Sequence, residues 1–322
     1  MKAIVHKVYG PPAVAQLTEV ANPIPKDKEV LVKVVASTVN RTDAGFRSAV
    51  YFISRFWSGL FRPKQQTLGS EFAGTIEAIG KEVSLFKIGD EVFGYNDVSF
   101  GGHAEYLTIS EDAAITTVPN NMTWHQSAAL TEGAHYALSI IKAANVKANQ
   151  KVMVYGATGA IGSAAVQLLK YFNAYVTAVG NTKNVQLLKN LGADVVIDYQ
   201  TQDFSRTDTK FDFIMDAVGK TDFNSCKPLL QKKGIYISSE LGKNGENIFY
   251  ALFTPLFRRK KVLFPIPTMN KEIILFLKQR AELGNLTPVI DRVYNMNQIV
   301  EAYTYVESGN KTGNVILSII NE

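Results

Sequence analysis

Val152-Met153-Val154-Tyr155-Gly156-Ala157-Thr158-Gly159-Ala160-Ile161-Gly162 carries a short apolar strand straight into three glycines, each separated from the next by two residues, and then into a helix. A strand that ends on such glycines and opens a helix is the pattern of a dinucleotide pyrophosphate site. Gly156 lets the chain turn sharply off the strand. Gly159 lets backbone N–H groups approach phosphate oxygens, and Gly162 lets the helix, read as residues 161–172, pack close to the sheet. Ala157, Thr158, Ala160 and Ile161 belong to the same loop and are expected against the cofactor. The spacing is GxxGxxG rather than GxGxxG, so the glycines alone do not decide the fold; the residues that follow do. Residues 175–179 read as a second strand, 184–191 as a helix closed by Gly192, 195–197 as a third strand and 213–215 as a fourth. That alternation predicts βαβ units around a parallel sheet.

The end of the second strand bears on which dinucleotide fits. A site that prefers NAD usually places Asp or Glu there, where the carboxylate bonds the ribose 2′-OH and repels a 2′-phosphate. Here the strand runs out as Ala178-Val179-Gly180-Asn181-Thr182-Lys183, with no acid and with one cation. Lys183, helped by the side chains of Asn181 and Thr182, can neutralise and bond a phosphate dianion, which points to NADPH. The alternative for Lys183 taken alone is a solvated residue in the first turn of the next helix.

The chain has 322 residues, 46% hydrophobic and 20% charged, enough for two domains with separate cores. Its formal charge of +5 comes from acids and bases interspersed along the chain, which argues against a nucleic-acid partner. A single cysteine, Cys226, excludes an internal disulfide framework and a cysteine-rich zinc lobe. The amino terminus reaches polar residues and Pro11-Pro12 before a signal-peptide core forms, and no apolar run is long enough to span a bilayer. The expectation is a cytoplasmic protein.

From Met1 to about Pro119, short β-type runs at 30–36, 74–79, 91–93 and 104–109 are broken by Gly, Pro and Asp turns, as in an irregular β-barrel. The composition changes at Asn121, and Thr123 is a suitable N-cap for the first helix of a βαβ region. The expected domains are 1–121, an inserted Rossmann-type domain over 122–264, and a return to the first domain over 265–322. The tail opens with an amphipathic helix at 271–283 stopped by Gly284. It ends in a strand at 313–319 able to close the first domain's sheet. Residues 261–264 read as an apolar edge strand of the Rossmann sheet, which invites pairing with its copy in a homodimer.

The segment Leu68-Gly-Ser-Glu-Phe-Ala-Gly74-Thr-Ile-Glu-Ala-Ile-Gly80, its continuation Phe86-Lys-Ile-Gly89-Asp90-Glu-Val-Phe-Gly94 and the glycine loop occur in that order. After them come Leu191-Gly-Ala-Asp-Val-Val-Ile-Asp-Tyr199, Phe211-Asp-Phe-Ile-Met-Asp-Ala-Val-Gly219 and Gly313-Asn-Val-Ile-Leu317. Together they resemble the medium-chain dehydrogenase/reductase superfamily over essentially the whole chain, and within it the zinc-independent quinone oxidoreductase and enone reductase branch. The resemblance implies an α/β protein: a GroES-like β-barrel catalytic domain with an inserted Rossmann-type dinucleotide-binding domain, and the active site in the cleft between them. It also implies a homodimer. Tyr199, at the end of the third strand, falls where a family tyrosine contacts the 2′-phosphate; packing at the strand end is its alternative. Val218 falls where the chain passes the adenine ribose and pyrophosphate.

Zinc alcohol dehydrogenases of this superfamily hold a catalytic metal on a Cys, a His and a second Cys or acid, because Zn²⁺ polarises the substrate oxygen. Those places here are Asn40, Ser70 and a position near Glu132; neither soft ligand is present, and no metal is expected. The four histidines, His6, His103, His125 and His135, lack the spacing of a helical metal pair. Without a metal, a quinone or an α,β-unsaturated carbonyl is a better hydride acceptor than a simple ketone, since neutral donors can stabilise its spread charge. Asn40 is the leading donor and Tyr51 the second. The alternatives are that Asn40 only caps the turn into residues 41–46 and that Tyr51 only lines a wall among Phe46, Phe52, Phe56 and Trp57. Aromatic and basic residues interleave at 50–63 and again at 248–261. Cleft and subunit packing is the simpler use for both, with attachment to a membrane surface as the rival. Two other readings stay open: an alcohol dehydrogenase-like enzyme with another carbonyl substrate, and a non-catalytic NADPH-binding scaffold or sensor.

Overall fold

The computed structural model describes residues 1–50, 55–257 and 259–320, without the Trp57 side chain. Tyr51 lies outside the described residues. The chain divides into two compact units, one of Met1–Glu132 with Met269–Glu322, the other of Gly133–Thr268.

The first unit begins with the antiparallel pair β1 (Lys2–Val5) and β2 (Gln16–Glu19). Strands β3 (Glu29–Val39), β4 (Glu71–Ile79), β5 (Glu91–Tyr95), β6 (Tyr106–Ser110) and β7 (Ile115–Thr117) follow. Between them lie helices α1 (Arg41–Ser48) and α2 (Arg55–Ser58), and after them α3 (Trp124–Ala128). β3 shows why this segment is a strand: Val30, Val32, Val34 and Ala36 are fully buried while Leu31, Lys33 and Val35 face outward to varying degrees. That is the period of two of a half-buried strand. It runs beyond the expected 30–36 because Ser37, Thr38 and Val39 pair with Leu317, Ile316 and Val315 of the chain's last strand.

The second unit takes over at Gly133, one residue into α4 (Glu132–Ala144), then alternates β8 (Lys151–Tyr155), α5 (Ala160–Tyr171), β9 (Tyr175–Gly180), α6 (Val185–Asn190) and β10 (Val195–Asp198). It continues with β11 (Phe211–Asp216), α7 (Phe223–Cys226), β12 (Leu230–Ser238), α8 (Glu246–Phe253) and β13 (Lys261–Val262). All six strands are parallel in the order β10-β9-β8-β11-β12-β13. The order reverses beside β8, so the loop after β8 sits at the topological switch point where open α/β sheets bind ligands. Met153, Val179, Ile214, Tyr236 and Val262 fill the core on this sheet.

The chain then returns to the first unit with α9 (Lys271–Glu282), β14 (Ile290–Asn295), α10 (Ile299–Glu307) and β15 (Asn314–Ser318). β15 pairs antiparallel with β3, so the last strand joins the first unit's sheet, whose path is β14-β15-β3-β4-β5-β7 with β6 on β3. The observed divisions differ from the expected 121/122 and 264/265. α3 packs on β3 and β4, and the backbone N–H of Glu132 donates to Glu71, which ties residues 122–132 to the barrel side. β13 is shorter than the expected 261–264, because only Lys261 and Val262 pair with β12.

Candidate functional site

The glycine loop brings its backbone close to the start of α5. Gly156 takes φ +74°, the left-handed region, and a Cβ there would lie 2.5 Å from Val218 Cγ2. A Cβ on Gly162 would collide with the Gly156 carbonyl oxygen and lie 2.7 Å from Ala157 Cα, so this glycine lets α5 approach the loop. Gly159 differs. Its Cβ would meet nothing closer than Gly156 O at 3.8 Å, so neither crowding nor its ordinary φ of −75° calls for glycine. What glycine leaves is open space over the first turn of α5, whose N-cap has no side chain to bond the N–H groups of Ala160, Ile161 and Gly162. The first bond inside the helix is Ser163 N to Gly159 O, at 2.8 Å. Open space over uncapped N–H groups at a helix N-terminus fits a dinucleotide pyrophosphate. Ala157 is buried and Thr158 half-buried beside them.

Val218 closes one side of this loop, and a residue that sequence reading missed holds it there. Asp216, the buried last residue of β11, accepts from the N–H groups of Val218 (3.1 Å), Gly219 (2.9 Å) and Thr221 (3.3 Å) and from the Tyr236 hydroxyl (3.3 Å). Burial raises its carboxyl above the usual range while those N–H groups oppose the shift. The signal in the sequence was an acid ending an apolar strand just before Ala-Val-Gly.

At the far ends of β9 and β10 the predicted residues meet. Asn181 Oδ1 accepts from Asn184 Nδ2 at 2.8 Å, and Lys183 is exposed in a 3₁₀ turn. Tyr199 is half-exposed, its N–H donating to Gly180 O at 3.0 Å. Thr182 is engaged by a second missed residue: its Oγ1 donates to Asp198 Oδ2 at 2.6 Å.

In the first unit Asn40 is the N-cap of α1, its Oδ1 accepting from Asp43 N at 2.8 Å. Its Nδ2 donates to Ser70 Oγ at 2.9 Å, with a longer contact to Thr38 Oγ1 at 3.4 Å, and Ser70 Oγ donates to Glu132 Oε2 at 3.1 Å. Asn40, Ser70 and Glu132, the places that the resemblance set against the zinc ligands, thus come together as a hydrogen-bonded chain. Among the described residues no group of three or more His, Cys, Asp and Glu side chains is arranged to hold a metal ion.

Around that chain lies a buried set of acids. Glu71 accepts from Thr38 Oγ1, Thr131 Oγ1 and the N–H groups of Thr131 and Glu132. Burial raises its carboxyl, and burial together with the charges of Glu71 and Asp43 pushes Glu132 well above the usual range. Asp43 Oδ1 accepts from the N–H groups of Gly69 and Ser70, both at 3.1 Å, and burial pushes its carboxyl up to about 8. His103 lies 3.8 Å from Asp43 and bonds Thr38 O at 2.7 Å, and burial brings it down to about 4. His6 and His135 are buried elsewhere, and His125 sits on α3. Because Asn40 caps a helix and bonds Ser70, Asn40→Ala should lower stability by about 1–2 kcal/mol. Thermal unfolding would check it; an unchanged midpoint would mean that the cap contributes nothing.

Of the two aromatic and basic segments, the first contributes α2, whose Arg55 lies over the Tyr9 ring at 4.8 Å. The second forms α8, with Phe249, Leu252 and Phe253 exposed.

Comparison with known proteins agrees with this architecture. A family model described as alcohol dehydrogenase GroES-like domain matches residues 26–120, and one described as zinc-binding dehydrogenase matches 191–317. A 2-methylene-furan-3-one reductase of Solanum lycopersicum is 30% identical over 98% of this chain and 79% of its own length. A quinone oxidoreductase of Homo sapiens is 30% identical over 98% and 97%. The solved structure of the quinone oxidoreductase from Coxiella burnetii superposes with a TM-score of 0.88, at 26% identity, over 99% of both chains. The fold and its switch-point glycine loop define an oxidoreductase built to bind a nicotinamide dinucleotide. The chain belongs to the medium-chain dehydrogenase/reductase superfamily, in its quinone oxidoreductase branch.

Proposed function

We propose that this protein reduces a quinone or an α,β-unsaturated carbonyl with NADPH and without a metal. The observation that carries the reading is the Asn40–Ser70–Glu132 hydrogen-bonded chain, an amide and a hydroxyl standing at the two places where the soft zinc ligands of metal-containing members would be. Bound NADPH supplies the hydride. In an enone the hydride forms a C–H bond at the β-carbon, electron density moves to the carbonyl oxygen, and a proton then adds at the α-carbon. A quinone takes the hydride and a proton to become the hydroquinone. Asn40 is the proposed donor to the developing oxyanion, able to exchange its 3.4 Å contact with Thr38 for that bond. Tyr51 remains the second candidate donor. Ala157, Thr158, Ala160, Ile161 and the three glycines hold the pyrophosphate, Val218 borders it, and Asn181, Thr182, Lys183 and Tyr199 take the 2′-phosphate. NADPH consumption should be seen with quinones and alkenones and should persist with chelator; activity lost to chelator and restored by Zn²⁺ would overturn the metal-free reading.

Lys183→Ala should reduce the preference for NADPH over NADH by about tenfold, the loss of one charge-assisted contact. Equal loss for both cofactors in fluorescence titration would take Lys183 out of phosphate binding. The protein is further proposed to be a homodimer paired through β13, which ends its sheet with one edge unpaired among the described residues. Sedimentation should give twice the chain mass at micromolar concentration. Among the described residues no helix is long and apolar enough to cross a membrane, and the proposed compartment is the cytoplasm.

A further inference from the structure

Lys183 is the positive arm of the proposed NADPH preference, and the sheet supplies an opposing arm from another strand. β9 and β10 pair in parallel with Gly180 beside Asp198, so the residues that follow each strand share one end of the sheet. There the Thr182 hydroxyl donates to Asp198 Oδ2 at 2.6 Å, and the Thr182 N–H donates to Gln200 Oε1 at 3.1 Å. Gln200 N in turn donates to Asp198 Oδ1 at 3.0 Å. Both donors of Thr182 are therefore turned toward the Asp198–Gln200 segment. The Thr182 hydroxyl, first among its partners, holds the Asp198 carboxyl below the usual range, so it is ionised at neutral pH. In a Rossmann site the residues after this second strand are the ones that meet the adenosine ribose, and an acid there favours the free 2′-OH.

We propose that Asp198 restrains this protein's preference for the 2′-phosphorylated cofactor: its carboxylate occupies the Thr182 hydroxyl that a 2′-phosphate needs and brings a like charge to the same turn. An acid is thus present at this end of the sheet although β9 itself ends without one. The charge comes from β10, sixteen positions beyond Thr182 in sequence and in contact with it through the parallel pairing. The proposal rests on the reading that a dinucleotide lies on the glycine loop with its ribose toward Asn181–Lys183.

The test uses two fragments, 2′,5′-ADP and 5′-AMP, which differ only in the 2′-phosphate, with dissociation constants from isothermal titration calorimetry. In Asp198→Asn the ratio Kd(5′-AMP)/Kd(2′,5′-ADP) should rise about three- to tenfold over the native protein, the effect of removing one partly exposed charge. Thr182→Val, which removes the hydroxyl and keeps the carboxylate, should leave the ratio at or below the native value. A ratio within twofold of native in Asp198→Asn, or a rise in Thr182→Val equal to that in Asp198→Asn, would overturn the proposal. Asp198→Ser removes the charge by a second route. Loss of 5′-AMP binding in both Asp198 variants would show a scaffold for the turn alone, and would overturn it too. A native protein that does not prefer 2′,5′-ADP would count against the NADPH reading only, because the rise in ratio is measured independently of its starting value.

Discussion

Gly162→Ala should abolish useful dinucleotide binding, weakening NADPH about a hundredfold or more, and should also lower thermal stability. The added methyl group would meet the Gly156 carbonyl oxygen and sit 2.7 Å from Ala157 Cα, backbone atoms that cannot rotate out of the way. Relief requires α5 to move off the sheet or the loop to open, and overpacking of a tight site costs about 1–3 kcal/mol or more. The companion variant separates fold from ligand. Gly159→Ala places its methyl in open space, so the unfolding midpoint should stay close to that of the native protein while NADPH affinity falls, since the methyl occupies the space above the α5 N–H groups. Thermal unfolding and fluorescence titration of both variants give the comparison. If Gly159→Ala bound NADPH as tightly as the native chain, the cradle would not lie over that turn.

Raising the pH from 6 to 9 should destabilise the native protein by about 2–3 kcal/mol more than it does Asp43→Asn, by linkage through this one carboxyl. Burial raises the Asp43 carboxyl to about 8 in the folded protein, against an ordinary value of 3.8. Between those values the folded state keeps a proton that the unfolded state has released, so stability falls as the pH rises. The contribution is complete below the unfolded value and gone above the folded one. Asn keeps an acceptor for the Gly69 and Ser70 N–H groups and does not titrate, so it removes the share of the slope that Asp43 carries, while the raised Glu71 and Glu132 carboxyls keep theirs. His103 works in the other direction: lowered to about 4, its contribution is lost as the pH falls from 6.5 toward 4, and taking the difference between the two proteins cancels it. Urea midpoints at pH 6 and pH 9 for both proteins would test this; parallel shifts would mean that Asp43 is ionised throughout.

Much of the second unit was legible in the chain, because its information is local. A parallel strand buried on both faces reads as an apolar run, and a loop that must approach both a helix and a ligand shows glycines at fixed spacing. The strands expected at 175–179, 195–197 and 213–215 therefore appeared there, within two residues at their ends, whereas β12, with Gln231, Lys232 and Lys233 exposed near its start, was not foreseen. The first unit was legible as short strands and turns. Residues 122–132, however, joined it through α3 packing and the Glu132–Glu71 bond, which no periodicity announces.

The candidate sites divide along the same line. Gly156, Gly159, Gly162 and Lys183 carry their meaning in residue type and spacing, since what they do follows from a missing Cβ or a fixed charge beside a recognisable strand end. Sequence by itself determined the glycine loop between strand and helix, the absence of soft ligands at Asn40 and Ser70, and the return of the last strand to the first sheet; the strand order that puts that loop at a switch point came from the structure. Only tertiary structure decided that Asn40, Ser70 and Glu132 form one hydrogen-bonded chain, that Asp216 anchors the Val218 loop and that Asp198 holds Thr182. Hydrogen bonding and burial act over about 3 Å between groups that chain order separates by anything from 2 to more than 60 positions, and the shifts they impose on a carboxyl depend on what surrounds it in space.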